Sequence, residues 1–281
     1  MADSFDLATH IRSALAEDLD DIGDLTAQYF LDPKLQSSAL IVSREPGILA
    51  GIDLARETFA QVDESLVVET FLQDGAALEV GTAVLKVSGR ATSMVTAERT
   101  ALNYLQRLSG IATMTRRFVD AVEGTPARIL DTRKTTPGWR HLEKAAVLAG
   151  GGLNHRMGLY DMVMVKDNHL LAAESISALQ TSIDRLKADH PDVGVEIEVD
   201  RLDQLREALK LHGVQRVLLD NMPPAVLREA VAINSGKVEL EASGGINLST
   251  IRAVAETGVD FISVGALTHS APSLDLGFDF L

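Results

Sequence analysis

The second part of the chain, residues 111–265, repeats one pattern: a short apolar run ends in polar residues and is followed by a helical segment. The six runs are ARILDTRK, MVMVKDNH, VEIEVD, RVLLDN, VELEASGG and FISVGAL. The last four begin about 20 residues apart, a spacing typical of parallel βα units. This recurrence predicts a β/α barrel, in which the polar strand ends gather at one face.

An open Rossmann-like sheet is the alternative arrangement for alternating strands and helices. Such a sheet carries a G-x-G-x-x-G turn after its first strand when it binds a dinucleotide. Here DTRKTTPG follows the first predicted strand, and Gly150–Gly152 follows a helical pattern, which indicates a helix end and a loop. We therefore favour the barrel.

The first part of the chain, residues 1–110, has a mixed α and β character. HIRSALAEDL has the pattern of an amphipathic helix, and SALIVSREPGILAG contains strand patterns interrupted by a glycine turn. Apolar residues at helical spacing predict a long helix from Ser93 to Val122. This helix would join the first part to the barrel.

Composition excludes several classes of function. The 281 residues carry a formal net charge of −14 and no cysteine. The charge argues against general binding to nucleic acid or anionic membranes, and the lack of cysteine removes disulfides and thiolate chemistry. The first residues are acidic, and no apolar run approaches the roughly 20 residues of a membrane span. We expect a soluble, cytoplasmic protein.

Cations concentrate in one stretch of this acidic chain, residues 133–169. It holds six lysines or arginines against three acidic residues. The strand ends supply Arg133, Lys134 and Lys166, and the intervening loop supplies His155 and Arg156. Because arginine binds carboxylate and phosphate groups in a bidentate manner, the cluster predicts a site for a small anion.

Carboxylates alternate along two of the predicted strands. Glu196 and Glu198 share one strand face, and Glu239 and Glu241 share one face of another. A buried carboxylate needs a cation, a metal or hydrogen-bond donors. For Glu196 and Glu239, which lie deeper on their strands, we predict internal ion pairs. The pairings considered are Asp131 or Glu241 with Arg133 or Lys166.

Two further features predict a phosphate and Mg²⁺ site. Glu198 and Asp220 lie near strand ends, where a pair of carboxylates beside phosphate commonly holds Mg²⁺. Ser243-Gly244-Gly245 and Ser263-Val264-Gly265 end the last two strands, and in barrels these two loops commonly bind phosphate. The residues alone thus predict a β/α-barrel enzyme that acts on a small phosphorylated polyanion with Mg²⁺.

Two other functions remain open at this point. Lys134 or Lys166 could form a Schiff base, as the strand-end lysine of barrel aldolases does. A non-catalytic anion-binding protein is the third possibility. It would not need paired carboxylates beside phosphate loops, so we rank it lowest.

The assembled motifs resemble the quinolinate phosphoribosyltransferase family over essentially the whole chain. The matching motifs are TAERTALNYLQRLSGIAT, DTRKTTPG, EKAAVLAGGGLNHRMGLYD, KDNH, EIEVD, LDN, EASGGI and DFISVGALTHS. The resemblance implies an α/β fold with an N-terminal α/β sandwich domain and a C-terminal incomplete (β/α) barrel. We place these domains at 1–110 and 111–265, with a C-terminal segment at 266–281 that returns to the N-terminal domain.

The resemblance also implies an activity and an assembly. Quinolinate and phosphoribosyl pyrophosphate would give nicotinate mononucleotide, pyrophosphate and CO₂ in NAD biosynthesis. The enzyme would require Mg²⁺ and would form a homodimer, in which the N-terminal domain of one subunit covers the barrel mouth of the other.

Roles implied by the resemblance fall on matching positions of this sequence. Quinolinate would be bound by Arg99 from across the dimer and by Thr132, Arg133, His155, Arg156 and Lys166. Phosphoribosyl pyrophosphate would be bound by Lys134, Glu198, Asp220, Ser243, Gly244, Gly265 and His269. The catalytic residues would be Lys134, Lys166, Glu198 and Asp220. The metal ligands would be Glu198 and Asp220, with Glu196 as the alternative to Glu198. Arg140 receives no role.

Overall fold

The computed structural model describes residues 5–166 and 176–281. From the N-terminus, the elements are α1 (Leu7–Leu19), α2 (Leu25–Phe30), β1 (Gln36–Ser43), β2 (Gly47–Ile48), α3 (Ile52–Val62), β3 (Val67–Thr70), β4 (Ala77–Leu78), β5 (Ala83–Arg90) and α4 (Ala91–Ala121). They continue with β6 (Arg128–Leu130), α5 (Arg140–Ala149), β7 (Met162–Val165), α6 (Ile176–Asp189), β8 (Gly194–Val199), α7 (Leu202–Ala208), β9 (Arg216–Asp220), α8 (Pro224–Asn234), β10 (Glu239–Ser243), α9 (Ile251–Ala255), β11 (Phe261–Ser263), α10 (Ala266–His269) and β12 (Leu276–Phe280).

The chain divides into two compact units. The first unit consists of Met1–Arg116, His141–Gly151 and Ala271–Leu281. The second unit consists of Arg117–Arg140 and Gly152–Ser270. None of the described helices is both long enough and apolar enough to span a membrane.

The first unit is built on a four-stranded antiparallel sheet in the order β12-β1-β5-β3. Apolar side chains of β1, β5, α3 and α4 form its core, including Ile41, Phe59, Leu85 and Leu105, which are fully buried. Short-range contacts define where helices begin: the carboxylate of Asp6 accepts a hydrogen bond from the Thr9 amide and so caps α1. Residues 276–280, within the segment predicted to return to the N-terminal domain, form β12 beside β1.

The second unit contains a six-stranded parallel sheet in the order β6-β11-β10-β9-β8-β7. Each of the six apolar runs found in the sequence contains one of these strands. From β7 to β11 every strand lies beside its predecessor, and β11 then pairs with β6, the first strand. A doubly wound sheet reverses direction at its centre, whereas this order is that of a barrel. The barrel prediction is confirmed.

The barrel is incomplete at one seam, as predicted. Within the described residues, β6 and β7 are the two edges of the sheet and do not pair with each other. Leu153 forms a single parallel bridge with Leu130 of β6, at the outer side of that edge. The fold is therefore an α/β architecture with a small N-terminal domain and an incomplete β/α barrel.

One segment groups differently from the predicted division. Residues 141–151 fall inside the predicted barrel domain at 111–265, but they belong to the first unit. α5 buries Leu142 and Val147, and the buried carboxylate of Glu143 pairs with Arg107 of α4 at 3.2 Å. Because these contacts are made within the first unit, α5 groups with that unit although β6 and β7 flank it in the sequence.

Candidate active site

A cavity of about 390 Å³ lies in the second unit, where the parallel strands end. Its lining residues are Thr132, Arg133, Lys134, His155, Arg156, Met164, Lys166, Glu198, Leu218, Asp220, Glu241, Ser243 and Ser263. Most of the side chains that the sequence assigned to a site are thus brought together. The reason is topological, because the carboxyl ends of parallel strands meet at one face of a barrel.

Four cationic side chains are among the residues that line the cavity. Arg133 and Lys134 follow β6 and are exposed, and Lys166 follows β7. The guanidinium of Arg156 donates a hydrogen bond to the carbonyl of Met162 at 3.1 Å. Burial and the neighbouring charge of Arg133 lower the pKa of Arg156. Both guanidinium groups line the same cavity, so an anion between them would be stabilised.

Two carboxylates lie on adjacent strands at the same cavity. The carboxylate of Glu198 on β8 accepts a hydrogen bond of 2.9 Å from the amine of Lys166, and Asp220 is the last residue of β9. Burial and the charge of Glu198 raise the pKa of Asp220. Two carboxylates on adjacent strands that line one cavity fit a hard cation such as Mg²⁺. Glu196, the alternative ligand, is fully buried and is not among the residues that line the cavity.

The glycine-rich strand ends are arranged for close backbone approach. Gly244 has a φ of 97°, and a Cβ atom there would collide with the side chain of Asn221. A Cβ atom at Gly265 would lie 3.0 Å from Cδ of Lys134 and 3.1 Å from Nε2 of His269. Gly265, His269 and Lys134 are therefore neighbours, although the first two are not among the cavity-lining residues.

His155 is buried at the base of the cavity. Its backbone amide donates to Asp131 at 2.8 Å, and its Nδ1 accepts from the Arg156 amide at 2.7 Å. Its Nε2 lies 2.9 Å from Glu196 and 3.5 Å from Glu241. Burial by itself would lower the pKa of His155, but the two carboxylates outweigh it and raise the pKa to about 9. A second ring proton would have to sit at Nδ1, where the Arg156 amide opposes it.

The internal ion pairs differ from the predicted pairings. Glu241 was considered as a partner of Arg133 or Lys166, and this was wrong. Glu241 pairs with Arg216 at 3.0 Å, while Lys166 pairs with Glu198. Arg216 is the first residue of β9, so it lies at the end of the barrel opposite the strand ends that form the cavity. Arg133 and Lys166 come after the last residues of their strands and therefore lie at the cavity end. The predicted internal pairing of Glu239 is found, since it contacts Arg216 at 3.0 Å.

Two arginines with clear structural contacts were missed or left without a role. In the sequence, Arg216 was treated only as the first residue of an apolar run and was given no role. Its position on a strand between two strands that carry alternating glutamates could have indicated an internal ion pair. Arg140 donates to the hydroxyl of Thr135 at 3.1 Å and to the carbonyl of Met157 at 3.0 Å. Arg140 thus ties the loop after β6 to the loop before β7.

Some predicted residues lie elsewhere. Arg99 is exposed on α4, in the first unit, and its role stays a prediction. Asp167, Asn168 and His169 of the KDNH motif lie outside the described residues.

Cationic side chains, two carboxylates and glycine-rich strand ends at one cavity define a class of protein. This class is the β/α-barrel enzymes that bind small phosphorylated anions.

Comparison with known proteins specifies the family. The model of the quinolinate phosphoribosyl transferase N-terminal domain matches residues 24–109, and that of the C-terminal domain matches residues 111–279. The chain belongs to the quinolinate phosphoribosyltransferase family.

Relatives of known name agree with this assignment. The chain is 44% identical to quinolinate phosphoribosyltransferase [decarboxylating] 1b of Nicotiana tabacum over 97% of this chain and 82% of the relative. It is 43% identical to the probable nicotinate-nucleotide pyrophosphorylase [carboxylating] of Bacillus subtilis, over 93% and 90% of the two chains. The structure of the nicotinate-nucleotide pyrophosphorylase from Francisella tularensis superposes with a TM-score of 0.91 at 38% identity, over 98% and 96% of the chains.

Proposed function

We propose that this chain transfers the phosphoribosyl group of phosphoribosyl pyrophosphate to quinolinate, with loss of CO₂. The products are nicotinate mononucleotide and pyrophosphate, in a step of NAD biosynthesis. The observation that carries the proposal is the cavity at the barrel strand ends, where four cationic side chains are brought together with Glu198 and Asp220. Family membership and the names of the relatives support it.

Quinolinate carries two carboxylates, and three cationic side chains of the cavity suit them. Arg133, Arg156 and Lys166 would hold the carboxylates, with Thr132 and His155 beside them. Held in this way, the ring nitrogen would be directed at C1 of the ribose. Fixing the two reactants in one geometry removes much of the entropic barrier to their reaction.

A second group of residues at the same cavity suits phosphoribosyl pyrophosphate. Lys134, Ser243, Gly244, Gly265 and His269 would contact its phosphates. Glu198 and Asp220 would hold Mg²⁺, which when bound neutralises charge on the departing pyrophosphate. Lys134 would stabilise the same leaving group, and the two carboxylates would stabilise the positive charge that develops on the ribose.

The transfer breaks the bond between ribose C1 and the pyrophosphate oxygen and forms the bond between C1 and the pyridine nitrogen. The quaternised ring then accepts the electron pair released when the bond from C2 to its carboxylate breaks, and a proton replaces CO₂. No organic cofactor is needed, because the positive ring itself is the electron sink.

The aldolase alternative is not favoured. A Schiff-base lysine needs a depressed pKa, so that its amine is neutral. Lys166 is instead engaged in an ion pair of 2.9 Å with Glu198, and the family to which the chain belongs consists of phosphoribosyltransferases.

The direct test is turnover with purified protein, phosphoribosyl pyrophosphate and Mg²⁺. With quinolinate we expect equal amounts of nicotinate mononucleotide, pyrophosphate and CO₂. With nicotinate, which lacks the second carboxylate, we expect turnover at least about 100-fold slower, since cations of the cavity would be left without their substrate partner. Preference for nicotinate, or product formation without CO₂, would contradict the proposal.

We also propose that the active enzyme is a homodimer in which Arg99 enters the partner's cavity. The first unit has a concave surface of about 1060 Å³ beside α4, lined by Asp20, Asp24, Glu57 and Glu64. Its negative charge complements the cationic cavity of a second copy. Arg99 is exposed on the same helix, three residues beyond Thr96, which lines that surface.

Mixing inactive variants tests the shared site. Arg99→Ala subunits mixed with Lys166→Ala subunits should recover about one quarter of wild-type activity, since half of the dimers are hybrids with one intact site. The matched control mixes Arg133→Ala with Lys166→Ala, which inactivates every barrel and should give no recovery. Equal recovery in both mixtures, or none in either, would rule out the shared site.

A further inference from the structure

Buried charged side chains extend from the lining of the cavity into the barrel interior. Glu196 and Glu241 are fully buried, and Arg216 is nearly so. Glu241 connects the set, because its carboxylate lies 3.0 Å from Arg216 and 3.5 Å from Nε2 of His155.

Both ring nitrogens of His155 are engaged within the protein. Nδ1 accepts a hydrogen bond from the Arg156 amide, and Nε2 lies 2.9 Å from Glu196. The backbone amide of His155 is also held, by Asp131. Three attachments define the ring position, so a substrate carboxylate would have to displace one of them to bind a ring nitrogen.

The attachments of His155 extend to Arg156. The Arg156 amide is fixed by Nδ1 of His155, and the Arg156 guanidinium is directed by the Met162 carbonyl at 3.1 Å. The orientation of this guanidinium, which lines the cavity, therefore depends on where the imidazole lies.

Arg216 explains how two carboxylates are tolerated beside one imidazole. It contacts Glu241 and Glu239, each at 3.0 Å, and stacks on the ring of Phe261 with its guanidinium carbon 4.0 Å from the centroid. With Glu241 paired to Arg216, Glu196 is left as the nearest acceptor for His155. A buried pair held in this geometry contributes more to specificity of arrangement than to stability.

We propose that Glu196, Glu241 and Arg216 are positioning residues, which fix His155 so that it orients Arg156 toward a quinolinate carboxylate. In this arrangement His155 acts through Arg156 and is not itself a ligand of the substrate. The inference rests on the proposed function, because quinolinate is the anion that Arg156 would bind.

Glutamate-to-glutamine variants keep the size of the side chain and remove its charge, so they separate the positioning role from a general structural role. Glu196→Gln and Glu241→Gln should raise the KM for quinolinate at least about tenfold and leave the KM for phosphoribosyl pyrophosphate within about twofold. Glu239→Gln is the matched control: it alters the same Arg216 and the same strand as Glu241, yet has no contact with His155, and both KM values should stay near wild type. Melting curves confirm that the variants are folded.

A double-mutant cycle tests whether Glu196 acts through His155. The double variant Glu196→Gln/His155→Ala should bind quinolinate no worse than His155→Ala alone, within about twofold, because the same function has already been lost. If Glu196→Gln does not fold, the cycle is run with Glu241→Gln.

Each outcome has a distinct meaning. Effects that multiply in the cycle, or an equal loss in Glu239→Gln, would overturn the inference. A raised Mg²⁺ requirement in Glu196→Gln would also overturn it, in favour of Glu196 as a metal ligand. Wild-type protein that does not turn over quinolinate would refute the proposed function, whereas active wild type with unaltered Glu196→Gln and Glu241→Gln would refute the positioning role alone.

Discussion

The first unit encloses its sheet with apolar side chains, whereas the second unit buries charged side chains beneath its cavity. The cluster that contains Ile41, Phe59 and Leu85 has no charged member, and the buried charges of the first unit, Glu143 and Lys144, lie on α5 outside it. In the second unit Glu196, Arg216 and Glu241 are buried within the barrel. An apolar core suffices for stability, so the charged interior points to a functional demand on the barrel.

The two sheets differ in how many faces they bury. In the middle of β1 burial alternates, since Ala39 and Ile41 are buried and Ser38 and Leu40 only partly so, which is the pattern of a half-buried antiparallel strand. In β8 every residue but Glu198 is buried, because helices cover one face and the barrel interior covers the other. Polar side chains inside such a barrel can form hydrogen bonds and ion pairs only with one another or with groups that occupy the cavity.

The largest effect is expected where the charged interior reaches the cavity. Lys166→Ala should lower kcat/KM at least about 1000-fold, or about 4 kcal/mol in the barrier, because it removes a cation for the substrate carboxylates. The fold should be unaffected, since the Lys166 side chain is 47% exposed. Arg133→Ala should behave alike. Lys237→Ala, exposed and outside the cavity, is the control, and near-normal turnover in Lys166→Ala would refute the site.

Removing the central cation tests whether the buried charges are balanced. Arg216→Met should lower the free energy of unfolding by about 4 kcal/mol, since it leaves Glu241 buried without its cation. The variant Arg216→Met/Glu241→Gln should recover at least about half of that loss. Chemical denaturation measures both, and no recovery in the double variant would mean that packing, not charge, is responsible.

In the first unit the corresponding test creates a cavity in an apolar core. Leu85 on β5 is fully buried, so Leu85→Ala should destabilise the protein by about 3 kcal/mol. Leu148 on α5 is 51% exposed, and Leu148→Ala should cost less than about 1 kcal/mol. Equal losses would show that the first unit does not depend on this cluster.

The smallest effect is expected from a hydrogen-bonded carboxylate of the first unit, Asp63, whose side chain is 6% exposed. Hydrogen bonds from Ser65 and Ser93 lower the pKa of Asp63 well below its usual value, with help from Arg90. Because the pKa of this carboxyl is lower in the folded state, the ionised group stabilises the folded protein at pH values above its pKa in the unfolded chain. This stabilisation is lost as the pH falls toward the pKa in the folded state.

Asp63→Asn should therefore cost about 1.5 kcal/mol at neutral pH, after allowance for solvent screening. The difference from wild type should shrink as pH falls below about 4. Melting temperatures at pH 7 and pH 3 measure it, with the exposed Asp53→Asn as control. An undiminished difference at pH 3 would refute the linkage.

The barrel could be predicted from the sequence because it follows from the recurring order of strands and helices and does not depend on individual side-chain contacts. The sequence also predicted Lys166, Glu198 and Asp220 as neighbours, because parallel strand ends meet at one face of a barrel. It did not predict that Arg216 would pair with Glu241, because that contact depends on strand register and on depth within the barrel. Nor did it place α5 in the first unit, since the decisive contact, Glu143 with Arg107, joins two helices that flank β6.

The pairing of β1 with β12 has a consequence for how the chain folds. During synthesis β1 is made more than 200 residues before Leu276–Phe280, which covers its edge. Until then β1 presents unpaired backbone groups on that side, a surface open to association with other chains. We expect the barrel to fold first and the first unit to close last, so truncation before residue 276 should promote aggregation.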